Sequence, residues 1–125
     1  MAHLLIVEDD ELLRDALGAQ LAQAGHRITT AADGAEALEQ MRAGAKFDVG
    51  LFDMQMPTMD GIMLAREIRR LPGGQALPLI LLSSIGRPPG PDTSELFAAV
   101  LTKPANLKRL VEHVRALLSP TSARG

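Results

Sequence analysis

Leu4-Leu5-Ile6-Val7-Glu8-Asp9-Asp10 is a short apolar run stopped at once by three acids. An apolar run this short, with no alternation, reads as a strand buried on both faces, as in a parallel sheet. Working outward, Leu13, Ala16, Leu17, Leu21 and Ala24 recur at helical spacing. Gly25 ends that helix, as glycine does just beyond a helix C-cap. Residues 26–31 hold Ile28-Thr29-Thr30 and read as a second, shorter strand. Asp33-Gly34-Ala35-Glu36 is a variant capping box that opens a helix running to about Arg42. Val49 to Phe52 is a third apolar run, ending at Asp53, and Gly50 inside it points to close approach of a packed helix.

Ile62, Leu64, Ala65 and Ile68 predict a third helix, broken at Leu71-Pro72-Gly73-Gly74. The fourth run, Leu77 to Leu82, ends at Ser83-Ser84. The fifth, Phe97 to Leu101, ends at Thr102-Lys103-Pro104. Leu107, Leu110, Val111, Val114, Leu117 and Leu118 mark a last helix. Strand and helix thus alternate five times, which implies an α/β domain whose parallel sheet is covered by helices on both faces. Pro88, Pro89 and Pro91 forbid a full fourth helix, so at most a short one remains near Thr93 to Phe97. The expected domain spans residues 1–119, with a frayed polar tail over 120–125.

A chain of 125 residues suffices for one domain with a sizeable core. With 46% hydrophobic and 22% charged residues it is globular in composition. It has no cysteine, so thiolate metal sites, thiol nucleophiles and disulfides are excluded. A net charge of −2 argues against nucleic acid as a direct partner. No apolar run approaches the roughly 20 residues that span a bilayer, and the N-terminus lacks the marks of a signal peptide. A cytoplasmic protein without a membrane partner is expected.

Ligands of open α/β sheets bind at the carboxyl ends of the strands. Those ends carry Glu8 and Asp9, Asp53, Ser83 and Lys103. Gathered carboxylates repel and raise one another's pKa. A hard divalent cation, Mg²⁺ or Mn²⁺, relieves this and prefers oxygen ligands. A carboxylate can also attack phosphorus and form an aspartyl phosphate. Cationic charge from the metal and from a lysine would then stabilise the phosphoryl oxygens, and a serine hydroxyl could hydrogen-bond to them.

At these positions Leu5-Ile6-Val7-Glu8-Asp9-Asp10, Leu51-Phe52-Asp53 with the loop Met54-Gln55-Met56-Pro57-Thr58-Met59-Asp60-Gly61, Ile80-Leu81-Leu82-Ser83-Ser84 and Leu101-Thr102-Lys103-Pro104 resemble the signatures of response-regulator receiver domains, in order and over nearly the whole chain. The resemblance implies a flavodoxin-like, doubly wound sheet of order 2-1-3-4-5. It implies Asp53 as phosphoacceptor, with Glu8, Asp9 and the backbone carbonyl of Gln55 as further metal ligands. It makes Ser83 the switch hydroxyl and Lys103 the family's lysine, with a cis bond to Pro104. The implied partners are a histidine kinase or histidine phosphotransfer protein and an output partner of unknown kind. Residues 83–104 most resemble receivers of hybrid histidine kinases. The chain carries no output domain, so it is a stand-alone receiver or one cut from a longer protein.

Two departures stand out. Val100 occupies the place where the family often has a switch aromatic, and the proline stretch alters the fourth helix. They keep alive a degenerate receiver acting as a phosphorylation-independent interaction module. A phosphohydrolase with an aspartyl nucleophile is disfavoured by Gln55, where such enzymes commonly carry a second aspartate. Flavin binding lacks a phosphate-cradling loop after the first strand. Other residues have plainer readings. Asp10 is a helix cap or a supporting carboxylate, and Asp60-Gly61 is a turn and helix start. His3, His26 and His113 are structural or solvent-facing, and none is a phosphoryl donor. Met41, Met54, Met56, Met59 and Met63 are packing, and Arg66, Arg69 and Arg70 are a solvated helix face. Ile85 is expected to slow phosphoryl hydrolysis by crowding the attacking water; an unchanged dephosphorylation rate in Ile85→Glu would refute that.

Overall fold

The structure, a computed structural model, describes residues 2–84, 92–103 and 107–118. The elements alternate as β1 (His3–Val7), α1 (Glu11–Gln23), β2 (Arg27–Ala31), α2 (Gly34–Arg42), β3 (Val49–Asp53), α3 (Gly61–Arg69), β4 (Leu79–Ser83), α4 (Asp92–Leu96), β5 (Ala99–Thr102) and α5 (Leu107–Leu118). The strands form one sheet of order β2-β1-β3-β4-β5, every neighbouring pair parallel. This is the expected doubly wound architecture. The short fourth helix is also as expected, while residues 85–91, with Ile85 and the whole proline stretch, lie outside the described residues.

The unbroken apolar runs bury both faces of the sheet, because successive side chains point to opposite sides. Leu5, Val7, Phe52, Leu79 and Leu81 face α2 and α3, packing with Leu38, Leu64 and Ile68. Leu4, Ile6, Leu51, Ile80 and Leu82 face the other way, against Leu17 and Leu21 of α1 and Leu110 and Val114 of α5. Gly50 lies within β3, and its reason differs from the one expected. A Cβ there would sit 2.7 Å from Leu79 Cδ2 and 3.1 Å from Phe52 Cε1. Core side chains, not a helix backbone, claim the space.

The helix ends follow the sequence signals. Gly25, at φ 98°, accompanies a Schellman pair in which Gly25 N–H donates to Ala22 O and His26 N–H to Leu21 O. Asp33 Oδ1 accepts from Glu36 N–H at 2.8 Å, while Glu36 reaches back to Ala32 N–H. Phe97 is buried but precedes β5, its N–H bonded to Thr93 O at the end of α4. Arg69 corrects the reading of a solvated basic face. Its half-buried guanidinium donates to the carbonyls of Gly74 at 2.6 Å, Leu77 at 2.8 Å and Leu96 at 2.8 Å. Burial lowers its pKa from the usual value.

Candidate functional site

The parallel register sets the strand ends side by side. Val7 pairs with Phe52, Asp53 with Leu82, and Ser83 with Thr102. Glu8, one residue beyond β1, therefore comes level with Asp53, and Lys103 follows directly on β5. Glu8, Asp9 and Asp53 each offer a carboxylate oxygen, and these oxygens lie within 4.8 Å of one another. Lys103 Nζ approaches Asp53 Oδ1 at 2.7 Å and Glu8 Oε1 at 3.2 Å.

Two of these charges are shielded from water. Glu8 is 1% exposed and Asp53 3%. Burial is the largest influence on Glu8 and raises its pKa from 4.5 to about 7; the neighbouring Asp53 adds to the rise. Like-charge repulsion, the cause expected from sequence, is thus secondary to desolvation. Burial pulls Lys103 down, but the hydrogen bonds and charges of Asp53 and Glu8 outweigh it and leave its pKa above 10.5. One half-buried ammonium faces two buried carboxylates, with Asp9 exposed at their edge. The donors are all hard oxygens, and the three acids against one lysine leave two negative charges to balance, so the set fits a divalent cation such as Mg²⁺.

The surrounding residues hold this arrangement in place. Arg14 Nη1 donates to Glu8 O at 3.0 Å. Asp10 Oδ1 accepts from Leu12 and Leu13 N–H, at 3.0 and 3.2 Å, so Asp10 is the N-cap of α1. Asp60 Oδ1 caps α3 through Met63 N–H at 2.8 Å, as its turn reading expects. Gln55 lines an open groove with Asp9, Met54, Met56, Pro57 and Asp60. Ser83 is fully buried at the end of β4, and its carbonyl accepts from Lys103 N–H at 2.9 Å. Val100 is half-buried beside Leu81, packed against the α2/α3 core. Pro104 lies outside the described residues.

Sequence reasoning placed Asp60-Gly61 at a turn and helix start but did not reach the reason for the glycine. A Cβ there would meet Asp53 O at 2.6 Å and Leu81 Cδ1 at 2.8 Å. Only glycine lets α3 start against the end of β3, and the Asp60-Gly61 pair after the loop was the available signal. His3 stands at the opposite end of β1, its ring nitrogens paired with Lys46 O at 3.0 Å and Thr29 Oγ1 at 2.6 Å. A cavity of about 760 Å³ around Met41, Phe47, Leu71 and Leu77 is also at that far end.

Fold and site together define an α/β domain with a lysine-braced acidic pocket at the carboxyl edge of its sheet. Residues 4–115 match the response regulator receiver domain model, and the chain belongs to that family. It is 34% identical over 124 residues to the transcriptional regulatory protein CseB of Streptomyces coelicolor, covering 93% of this chain and 49% of that protein. The chain spans about half the length, or less, of the curated relatives it matches first. Among solved structures, the chemotaxis response regulator CheY4 of Vibrio cholerae is similar with a TM-score of 0.83 and 30% identity, over 94% of this chain and 99% of that one. The response regulator TrrA of Thermotoga maritima, solved in complex with Mg²⁺-BeF, has a TM-score of 0.77 and 30% identity, over 94% and 100%. No described helix is long and apolar enough to cross a membrane.

Proposed function

We propose that this receiver domain takes a phosphoryl group from a histidine of a kinase or phosphotransfer protein onto Asp53, in the cytoplasm, and thereby switches a partner-binding surface. The observation that carries the reading is the contact of Lys103 Nζ with Asp53 Oδ1 at 2.7 Å, in an acid cluster of which Glu8 and Asp53 are buried. A buried aspartate beside a fixed cation is a poised nucleophile whose developing negative charge has somewhere to go.

In the transfer, the phosphorus–nitrogen bond of the donor histidine breaks, an Asp53 oxygen–phosphorus bond forms, and the histidine nitrogen takes up a proton. Glu8, Asp9, Asp53 and the carbonyl of Gln55 would hold Mg²⁺ or Mn²⁺, the kind of ion present in the TrrA complex. Bound there, the ion would neutralise the acids and the phosphoryl oxygens. Lys103 is positioned to follow the phosphoryl oxygens, since it already spans Asp53 and Glu8. Ser83, tied to Lys103 through its own carbonyl, is the candidate switch hydroxyl. The domain is in this reading a phosphoacceptor that promotes its own loading and unloading, not an enzyme acting on others. The resemblance of residues 83–104 to hybrid-kinase receivers favours a donor histidine on the same polypeptide or on a phosphotransfer partner.

Incubation with acetyl phosphate and Mg²⁺, followed by intact mass, tests the reading. The expected result is a gain of one phosphoryl group, absent in Asp53→Asn and absent with chelator. No gain in the wild type under any of these conditions would overturn it.

A further inference from the structure

α3 (Gly61–Arg69) runs from the end of β3 to α4. Its first residue is locked to the phosphoacceptor strand. Gly61 N–H donates to Met54 O at 2.9 Å, and the space where a Cβ would stand is filled by Asp53 O. The helix cannot shift toward β3, nor β3 toward it, without moving the other. The body is rigidly seated, with Gly61, Leu64, Ala65 and Ile68 all buried. Eight steps of about 1.5 Å, from Gly61 to Arg69, carry the helix roughly 12 Å from that contact.

At its far end Arg69 grips three carbonyls. Two belong to the turn leading into β4, Gly74 and Leu77, and the third is Leu96, the last residue of α4. Gly74 is pressed so closely on Ile68 O that no side chain fits there, so the turn and the helix end form one body. A helix leaves its last carbonyls without partners inside the helix. The guanidinium, with its fixed fork of donors, supplies one to α4 while keeping its grip on the turn.

We infer that α3 acts as a lever and Arg69 as the coupling through which a change at Asp53 moves α4. The inference rests on the reading of Asp53 as phosphoacceptor. The alternative is that Arg69 only caps α4 and stabilises it equally in every state. Coupling demands more, namely that the two ends bias one another.

The full chain is compared with Arg69→Met, and with Arg69→Lys, which keeps the charge. Beryllium fluoride with Mg²⁺ serves as the loading probe, and hydrogen exchange is read over residues 92–98. In the wild type, loading is expected to change exchange there several-fold. In Arg69→Met, probe affinity should stay within about threefold while the loading-dependent change disappears; Arg69→Lys should retain part of it. A purely capping role predicts faster exchange in both states with the difference between them intact, and that result overturns the lever. So does a wild type that loads without any change over residues 92–98. A wild type that takes no probe refutes the phosphoacceptor reading itself, and is seen in the binding measurement before any exchange is compared. Should Arg69→Met fail to fold, a full loading-dependent change in Arg69→Lys, whose single ammonium cannot hold three carbonyls in the same fork, also overturns it.

Discussion

The two edges of the sheet are built from the same strands and differ in how their polar groups are balanced. At the amino edge His3 has both ring nitrogens paired, its backbone N–H bonded to Asp48 Oδ2 at 2.8 Å, and its ring tilted against Phe47 at 4.6 Å. At the carboxyl edge, Glu8 and Asp53 are buried with one lysine between them. Burying more negative than positive charge is unfavourable unless something further binds. One edge is therefore arranged for stability. The other holds a destabilising charge set in place, supported by a fold that is secure elsewhere.

The sharpest way to break this contrast is to titrate the acidic edge. Glu8 ionises near 4.5 when unfolded and near 7 when folded. Between those values the folded state holds a proton that the unfolded state has lost, so stability falls as pH rises from 4.5 to 7 and levels off above. The span corresponds to a loss of about 3 kcal/mol at most. Lys103, raised above 10.5, adds stability throughout this window and loses it only at higher pH. Urea unfolding in chelator, followed by circular dichroism because the chain has no Trp or Tyr, should show Glu8→Gln more stable than wild type at pH 7.5 and equal to it at pH 4. Mg²⁺ should narrow the gap, since metal binding requires the ionised acid. A Glu8→Gln protein less stable at pH 7.5 without metal would mean that the acidic edge is not under electrostatic strain.

A smaller effect tests the other edge. His3→Ala removes two side-chain hydrogen bonds and the contact with Phe47. It should cost about 1–2 kcal/mol at neutral pH and leave phosphoryl uptake unchanged. Loss of uptake would show that the two edges are not independent.

Most of the acidic edge was legible because each apolar run ends abruptly in a chemically distinctive residue. Glu8, Asp53, Ser83 and Lys103 need only the rule that parallel strands share a carboxyl edge to be brought together. Asp10 and Asp60 were legible as caps, because capping is a local signal. What could not be read depends on packing across the fold. Gly50 answers to Leu79 and Phe52, and Gly61 to the main chain of Asp53. Arg69 sits beside Arg70 in sequence, yet Arg70 makes an exposed pair with Glu67 while Arg69 turns inward to three carbonyls. Nothing in the local pattern separates the two. Desolvation of Glu8 was likewise hidden, since burial belongs to the assembled sheet.

Backbone strain follows the same division between edges, and it offers the smallest test. Gly25, Gly44 and Gly73 meet their positive φ with glycine, whereas in the loop after Asp53 the residue at φ 64° is Thr58. Met59 N–H donates to Pro57 O at 2.7 Å across it, closing a three-residue γ-turn, a rare and strained form for a β-branched residue. The Thr58 hydroxyl donates to Pro57 O at 2.6 Å and helps to hold the turn. Relief of that strain in Thr58→Gly should gain about 1 kcal/mol, and glycine's extra freedom in the unfolded chain should return about half of it. A net gain near 0.5 kcal/mol is thus expected in urea unfolding. The loop that carries Gln55 would be looser, so Mg²⁺ affinity should fall a few-fold by titration. If Thr58→Gly instead loses stability, the turn is held without strain, and the contrast between a relaxed amino edge and a strained carboxyl edge narrows to charge alone.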